Sequence, residues 1–210
     1  MNKGKLISIE GIDGSGRTIH SQDLKRYLEG QGYGVLAFGL QMSRLIGERI
    51  TKMKKDMIFR RRTLFLSYVT DLADQMELSI RYGVESGFMA IADGYTLSLK
   101  TWGATRGVED SWMSDVLSIL PEPDIRVVLV SSPEEIMRRL ISKRGFLDPL
   151  EAGMDVLTKG DVYESYRNYI NVFQNTIKTS FPKEKQITTD NNFEDVRLEL
   201  IRYVESKLEA

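Results

Sequence analysis

The sequence predicts an α/β protein, a five-stranded parallel sheet flanked by helices, and three observations predict it. Short apolar runs alternate with longer segments of helical periodicity along the chain. Two runs, Leu6-Ile7-Ser8-Ile9 and Phe88-Met89-Ala90-Ile91-Ala92, are nearly continuous rather than alternating, as strands buried on both faces are. The first run leads directly into the glycine-rich stretch Glu10-Gly11-Ile12-Asp13-Gly14-Ser15-Gly16-Arg17-Thr18, behind which a helical pattern begins.

A strand, a glycine-rich turn and a helix N-terminus in that order make a phosphate cradle. The glycines let main-chain N–H groups approach an anion, and the helix adds unpaired N–H groups and the positive end of its dipole. Gly11, Gly16 and Thr18 fit the spacing G-x-x-x-x-G-K-[ST], with Arg17 where lysine is expected. Gly11, Ile12, Asp13, Gly14, Ser15, Gly16, Arg17 and Thr18 are therefore candidates for holding a nucleotide's phosphates, with the Thr18 hydroxyl as a Mg²⁺ ligand. A guanidinium is wider than an ammonium and cannot nest as a point charge between phosphates. At Arg17 the sequence thus speaks more strongly for nucleotide binding than for fast chemistry.

The remaining elements follow in order. Leu24, Tyr27 and Leu28 stripe the first helix, which Gly30 and Gly32 stop. Val35 to Phe38 is a second strand, and Ser43 is placed to cap a helix carrying Leu45, Ile46 and Ile50. Lys52 to Arg62 is mostly basic and reads as a solvated connection. Leu64, Phe65, Tyr68, Leu72, Met76 and Ile80 recur at helical spacing, predicting a long helix from about Arg61 to Tyr82 ended by Gly83 and Gly87. Phe88 to Ala92 is the third strand, closed by Asp93, and a helix is expected over Glu109 to Leu120. Ile125 to Val130 is the fourth strand, and Ser132-Pro133-Glu134-Glu135 opens a helix with a cap, a first-turn proline and two acids at the positive end. Gly145 to Gly153 reads as a loop, Asp155 to about Thr179 as helix, Gln186 to Thr189 as the fifth strand and Phe193 to Leu208 as the last helix. In such sheets ligands sit at the carboxyl ends of the strands, which puts Asp13, Asp93 and the glycine loop at one mouth.

Composition narrows the function. The 210 residues suit one domain with a proper core, and 41% hydrophobic against 28% charged residues is ordinary for a globular protein. A formal net charge of -1 argues against a broad electrostatic hold on nucleic acid, and no apolar run approaches membrane-span length. Met1 to Lys5 leads straight into the first strand and does not read as a signal peptide. The absence of cysteine removes disulfides and thiolate sites, and a lone histidine, His20, removes a histidine-based zinc site. A cytoplasmic enzyme or nucleotide-binding protein is the expectation.

With these residues in view the sequence resembles the thymidylate kinases of archaea and bacteria over nearly its whole length. The likeness rests on Ile9 to Gly16, on Phe65 to Ile80, on Ile91-Ala92-Asp93-Gly94-Tyr95, and on Pro123-Asp124 leading to Ser132-Pro133-Glu134-Glu135 and Arg139. It implies a P-loop nucleoside monophosphate kinase fold in a single domain over residues 1–210, with a short lid at about 144–154. It also implies a homodimer, and transfer of the ATP γ-phosphoryl to the 5′-phosphate of dTMP with Mg²⁺. The residue roles it implies are these. Gly11 to Thr18 hold the ATP phosphates, with Arg17 near the transferred group and Thr18 and Asp93 on the metal. Asp13 contacts the acceptor's deoxyribose. Tyr68 stacks on thymine, with a core position as the other reading. Trp102 crowds the sugar 2′ position, or is core. Asp93 lies near the acceptor phosphate. Arg139 and Arg144, at the start of the lid, approach the phosphates.

The departures from the family pattern cluster on phosphate and base contacts. The family's Asp-Arg-Tyr is Asp93-Gly94-Tyr95, Leu72 stands where a helix arginine is usual, and Gly103 stands in a place often held by glutamine. Met42 falls at the acceptor-phosphate arginine, with Arg44 close enough to replace it. The stretch Gly145 to Leu150 lacks the usual Asp-Arg pair. Three readings stay open: a kinase of this type with reduced activity or altered acceptor, a catalytically weak nucleotide-binding paralogue, and a kinase for another small phosphorylated or hydroxyl acceptor.

Overall fold

The computed structural model describes residues 3–55, 60–145, 153, 155 and 161–209. Five strands form one parallel sheet: β1 (Leu6–Glu10), β2 (Val35–Gly39), β3 (Met89–Asp93), β4 (Ile125–Val130) and β5 (Lys185–Thr188), in the order β2-β3-β1-β4-β5. β1 is central and buried at every position, which is why its sequence is apolar on both faces. Its register pairs Ile9 with Asp93 of β3 and with Val127 of β4. The carboxyl ends of β1 and β3 therefore lie level, and the glycine loop and Asp93 emerge side by side.

Among the described residues the connections are helical. α1 (Arg17–Gly30) follows β1, and α2 (Gly47–Lys55) and α3 (Arg61–Gln75) follow β2. α3 continues through a π-helical turn, Met76–Ile80, into α4 (Arg81–Glu85). α5 (Thr96–Ala104) and α6 (Asp110–Leu117) follow β3, α7 (Pro133–Arg144) and α8 (Val162–Ser180) follow β4, and α9 (Phe193–Leu208) ends the chain. Leu24 and Leu28 of α1 pack with Val196 and Leu200 of α9 over Ile7, Ile9 and Ile91. On the opposite face Leu64, Phe65, Tyr68, Leu72, Met76 and Ile80 pack with Ala90, Ala92 and Leu99. A third cluster joins Val128 and Leu97 to α7 and α8.

The long helix corrects the sequence expectation in two ways. It runs past Gly83 to Glu85 instead of ending at Tyr82. Gly83 is not a stop signal: it lies inside α4, and a Cβ there would lie 2.2 Å from Leu36 Cδ1, so the bare glycine lets α4 sit close over β2 without displacing the end of that leucine. Second, the apolar stripe Leu64, Tyr68, Leu72, Met76, Ile80 advances in strict steps of four residues. In a regular α-helix each such step overshoots a full turn by about 40°, so the stripe would drift by about 160° over its length. The wider turn at Met76–Ile80 takes back part of this drift over the last step, and Ile80 stays in the core with Met76.

Other boundaries move for local reasons. Ser43 heads a turn, its Oγ accepting the Leu45 N–H at 3.0 Å, and α2 starts only at Gly47. α5 has no counterpart in the sequence reading. The fourth helical stretch is α6, shorter than Glu109 to Leu120. Asp155 lies in a turn rather than opening a helix, and α8 begins at Val162 with the Asp161 side chain accepting from the Glu164 N–H. Ser132 caps α7 as expected, and Gly145 closes it in the left-handed region. The lid expected at 144–154 lies outside the described residues except for Arg144, Gly145 and Gly153.

Candidate active site

The glycine loop takes its shape from close approaches. Gly11 has φ 142, and a Cβ there would lie 2.5 Å from the Leu129 carbonyl oxygen and 2.7 Å from Ser15 Oγ. No other residue fits both that angle and that space. Gly16 precedes α1 with φ 94, and no side chain caps the helix, so its first N–H groups face the mouth of the loop. Thr189 Oγ1 donates to the Ser15 carbonyl at 2.9 Å, anchoring the loop to the end of β5.

A cleft of about 220 Å³ opens above these strand ends. Its floor is Gly11, Ile12, Asp13, Arg17, Thr18 and Asp93, and one wall is Leu40, Gln41 and Tyr68. The other wall is Ser98, Leu99 and Trp102, with Lys143, Arg144, Tyr169 and Phe173 at the rim. Thr18 Oγ1 donates to Asp93 Oδ2 at 2.6 Å, and Arg17 Nε stands 3.6 Å from Asp93 Oδ1. Arg144 Nη2 meets Asp13 Oδ2 at 2.9 Å, tying the end of α7 to the loop. Both of these pairs are partly solvated, so incoming phosphates can compete for the arginines.

Three groups that the sequence reading gave no role hold the walls in place. Glu10 is fully buried and accepts the N–H groups of Tyr95, Leu97 and Ser98 and the Ser98 hydroxyl. It caps α5 from another strand, and the Gly11 N–H donates to Ser98 Oγ at 3.0 Å, so the same network sets the first loop peptide. Asp71 accepts the N–H groups of Gln41 and Ser43 at 2.7 and 3.0 Å, while the Gln75 amide pairs with both backbone groups of Gly39. Burial pushes the Asp71 carboxyl pKa up, and these amide donors partly offset that. The two side chains pin the loop after β2, including Gln41 at φ 64, against α3. Arg106 is fully buried, 4.1 Å from the centroid of the Trp102 ring and 5.0 Å from that of Tyr169. It donates twice to Asp155, at 3.0 and 3.2 Å, and once to the Tyr169 hydroxyl at 2.8 Å.

The thymidylate kinase family model matches residues 9–191. The chain belongs to the thymidylate kinase family. It is 27% identical over 201 residues to the probable thymidylate kinase 2 of Saccharolobus solfataricus, covering 94% of each chain. It is 25% identical over 212 residues to the probable thymidylate kinase of Pyrococcus horikoshii, covering 98% of each. To the thymidylate kinase of Caldicellulosiruptor saccharolyticus it is 29% identical over 202 residues, covering 93% of this chain and 95% of that one. Thymidylate kinases are phosphotransferases that use ATP and Mg²⁺, and this chain is a phosphotransferase of the P-loop nucleoside monophosphate kinase fold.

In this member of the family the residues singled out from sequence are distributed as follows. Gly11, Ile12, Asp13, Arg17, Thr18, Tyr68, Asp93, Trp102 and Arg144 meet in the cleft, and Gly14, Ser15 and Gly16 complete the loop beneath it. Tyr68 is buried in the core cluster and also borders the cleft. Its ring meets Trp102 edge-on, with centroids 6.1 Å apart. Arg44 is exposed on the turn before α2 and does not line the cleft. Arg139 does not line it either. Its guanidinium contacts Glu135, the Gly14 carbonyl and Thr189, bridging the glycine loop to the end of β5. Lys143, Gln41, Ser98 and Tyr169 join the lining without having been singled out. For Mg²⁺ the donor chemistry fits: Thr18 and Asp93 offer hard oxygens 2.6 Å apart beside the phosphate loop. Two side-chain oxygens are few, so the rest of such an ion's shell belongs to nucleotide and water.

Proposed function

We propose that this enzyme transfers the γ-phosphoryl of ATP to the 5′-phosphate of dTMP, giving dTDP. The observation that carries the reading is the shared cleft: a phosphate loop and an aromatic-walled slot meet at Asp93. Phosphoryl transfer asks for two anions held in line, their charge offset and water kept out, rather than for covalent help.

The N–H groups of Gly11 to Thr18 hold the triphosphate at the start of α1. Arg144, after leaving Asp13, reaches the transferring group, and Arg17 approaches it from beside Asp93, on the acceptor's side. Asp13, so released, accepts from the acceptor's sugar hydroxyl. Tyr68 and Trp102 take the base and the sugar between them, and their apolar surface excludes water. Thr18 and Asp93 would hold Mg²⁺, which supplies charge neutralisation on the phosphate oxygens. The homodimer that the family likeness implies would form through the outer side of the long helix. Its inner stripe is spent on the core, whereas Leu66, Leu78 and Tyr82 are exposed. A cytoplasmic location suits an enzyme of nucleotide synthesis.

An ADP-release assay with dTMP, dUMP and the other deoxynucleoside monophosphates tests the reading. The expected result is turnover highest with dTMP. Turnover higher with another monophosphate than with dTMP, or none with any while ATP binds, overturns it in favour of a different acceptor or a nucleotide-binding role respectively.

A further inference from the structure

Arg17 stands in the phosphate loop, yet its side chain leaves it. The guanidinium lies over Gly94: a Cβ on that residue would come 2.5 Å from Arg17 Nη1 and 3.2 Å from Arg17 Cζ. The same point lies 3.0 Å from Leu40 Cδ1, and Arg17 Nε is 3.6 Å from Asp93 Oδ1. Since the strand order is β2-β3-β1, Arg17 starts behind β1, crosses the end of β3 and finishes beside the residue that follows β2. The amide cradle for a triphosphate is at β1 and α1. The guanidinium therefore lies over the end of β3, on the side of the cleft that Leu40 lines, with the Asp93 carboxylate beside it.

We propose that Arg17 is the cation for the acceptor's phosphate in this enzyme, and that Gly94 is the positioning residue that makes room for it. The assignment rests on the reading of the cleft as a monophosphate kinase site and deepens it. A planar fork with Nε turned toward Asp93 can present its Nη edge to a phosphate in two parallel hydrogen bonds, which an ammonium at this position cannot do. Gly94 has φ 76, so it also supplies a backbone angle that side chains disfavour. Its missing Cβ is the second requirement, because any side chain there would push the guanidinium off the end of β3.

Calorimetry with three separate probes, ADP, dTMP and thymidine, tests this without any turnover. Thymidine carries the base and sugar but no phosphate. In Arg17→Met the dTMP affinity should fall about tenfold or more, that of thymidine should hold, and that of ADP should change less than threefold. Gly94→Ala should reproduce the loss for dTMP alone, and adding it to Arg17→Met should cost nothing further, since both act through one guanidinium. A loss confined to ADP in Arg17→Met overturns the proposal and returns Arg17 to the donor side. Equal losses for dTMP and thymidine overturn it as well, by showing a collapsed wall. Should Gly94→Ala fail to fold, the three affinities of Arg17→Met decide the matter alone. Wild-type protein that binds ADP but neither thymine ligand fails the acceptor reading itself, a distinguishable result.

Discussion

The Arg106 guanidinium is stacked 4.1 Å from the centroid of the Trp102 ring, four residues earlier on the α5 side of the cleft. It is fully buried, with its charge matched by Asp155. Removing one partner of a buried pair strands the other charge and typically costs about 3–5 kcal/mol. Arg106→Ala should therefore lower stability in urea denaturation, by less than that full amount because the stranded Asp155 is 18% exposed. With its backing gone, Trp102 should also show shifted fluorescence in the folded protein, read most cleanly with the only other tryptophan, Trp112, replaced by Phe. Unchanged stability would mean that the pair does not hold the wall.

Glu10 and Ser98 make the second prediction. Glu10→Gln keeps the size but replaces one acceptor oxygen with an N–H₂ among donors. Hydrogen bonds to a charged group are worth about 1.5–3 kcal/mol each. Losing at least one should lower the melting point measurably and weaken acceptor affinity, because α5 carries Trp102. Ser98→Ala, which spares the charge, should have the smaller effect in both measurements.

Arg144 is expected to act on the transferring phosphoryl group after it exchanges Asp13 for phosphate. Removing one donor to developing charge commonly costs about 10²–10³ in kcat. Arg144→Gln should lose turnover of that order, with ADP affinity reduced far less. A change in ADP affinity as large as the change in kcat would mark Arg144 as a ground-state contact instead.

His20 gives a pH dependence. Burial lowers its imidazole pKa, opposed by Asp23 and assisted by Arg139. The unfolded chain binds the proton more tightly, with an ordinary value of about 6.5. The contribution of neutral His20 to stability is thus complete above that value and is lost as pH falls from it toward the lower folded value. His20 stacks on Phe193, with ring centroids 4.9 Å apart. His20→Phe, which keeps an aromatic ring but cannot protonate, should show a smaller loss of stability between pH 7 and pH 5.5. Equal losses in both proteins would place the proton elsewhere.

Much of this was legible in the sequence because local chemistry decided it. Nearly continuous apolar runs marked the strands, Ser132-Pro133-Glu134-Glu135 marked the start of α7, and the spacing from Gly11 to Thr18 marked the loop. What escaped depends on partners far along the chain. α5 is capped by Glu10 from β1, so the residues around Thr96 carry no start signal of their own. The partner of Arg106 is 49 residues away, and only its position four residues after Trp102 could have hinted at the stack. Gly83 was misread because a glycine needed for contact looks the same in sequence as one that ends a helix.

The π-helical turn makes the rod after β2 sensitive to its length more than to its letters. Adding a further residue to Met76–Ile80, which already carries one more than a regular helix needs, would swing everything downstream through about 100°. The Val84 carbonyl would then miss the Gly4 N–H that it meets at 2.8 Å, and Gly83 would rotate out from under Leu36. A single-codon insertion there should unfasten the distal edge of the sheet, whereas deleting one residue, which closes the wide turn to a regular one, should be far better tolerated.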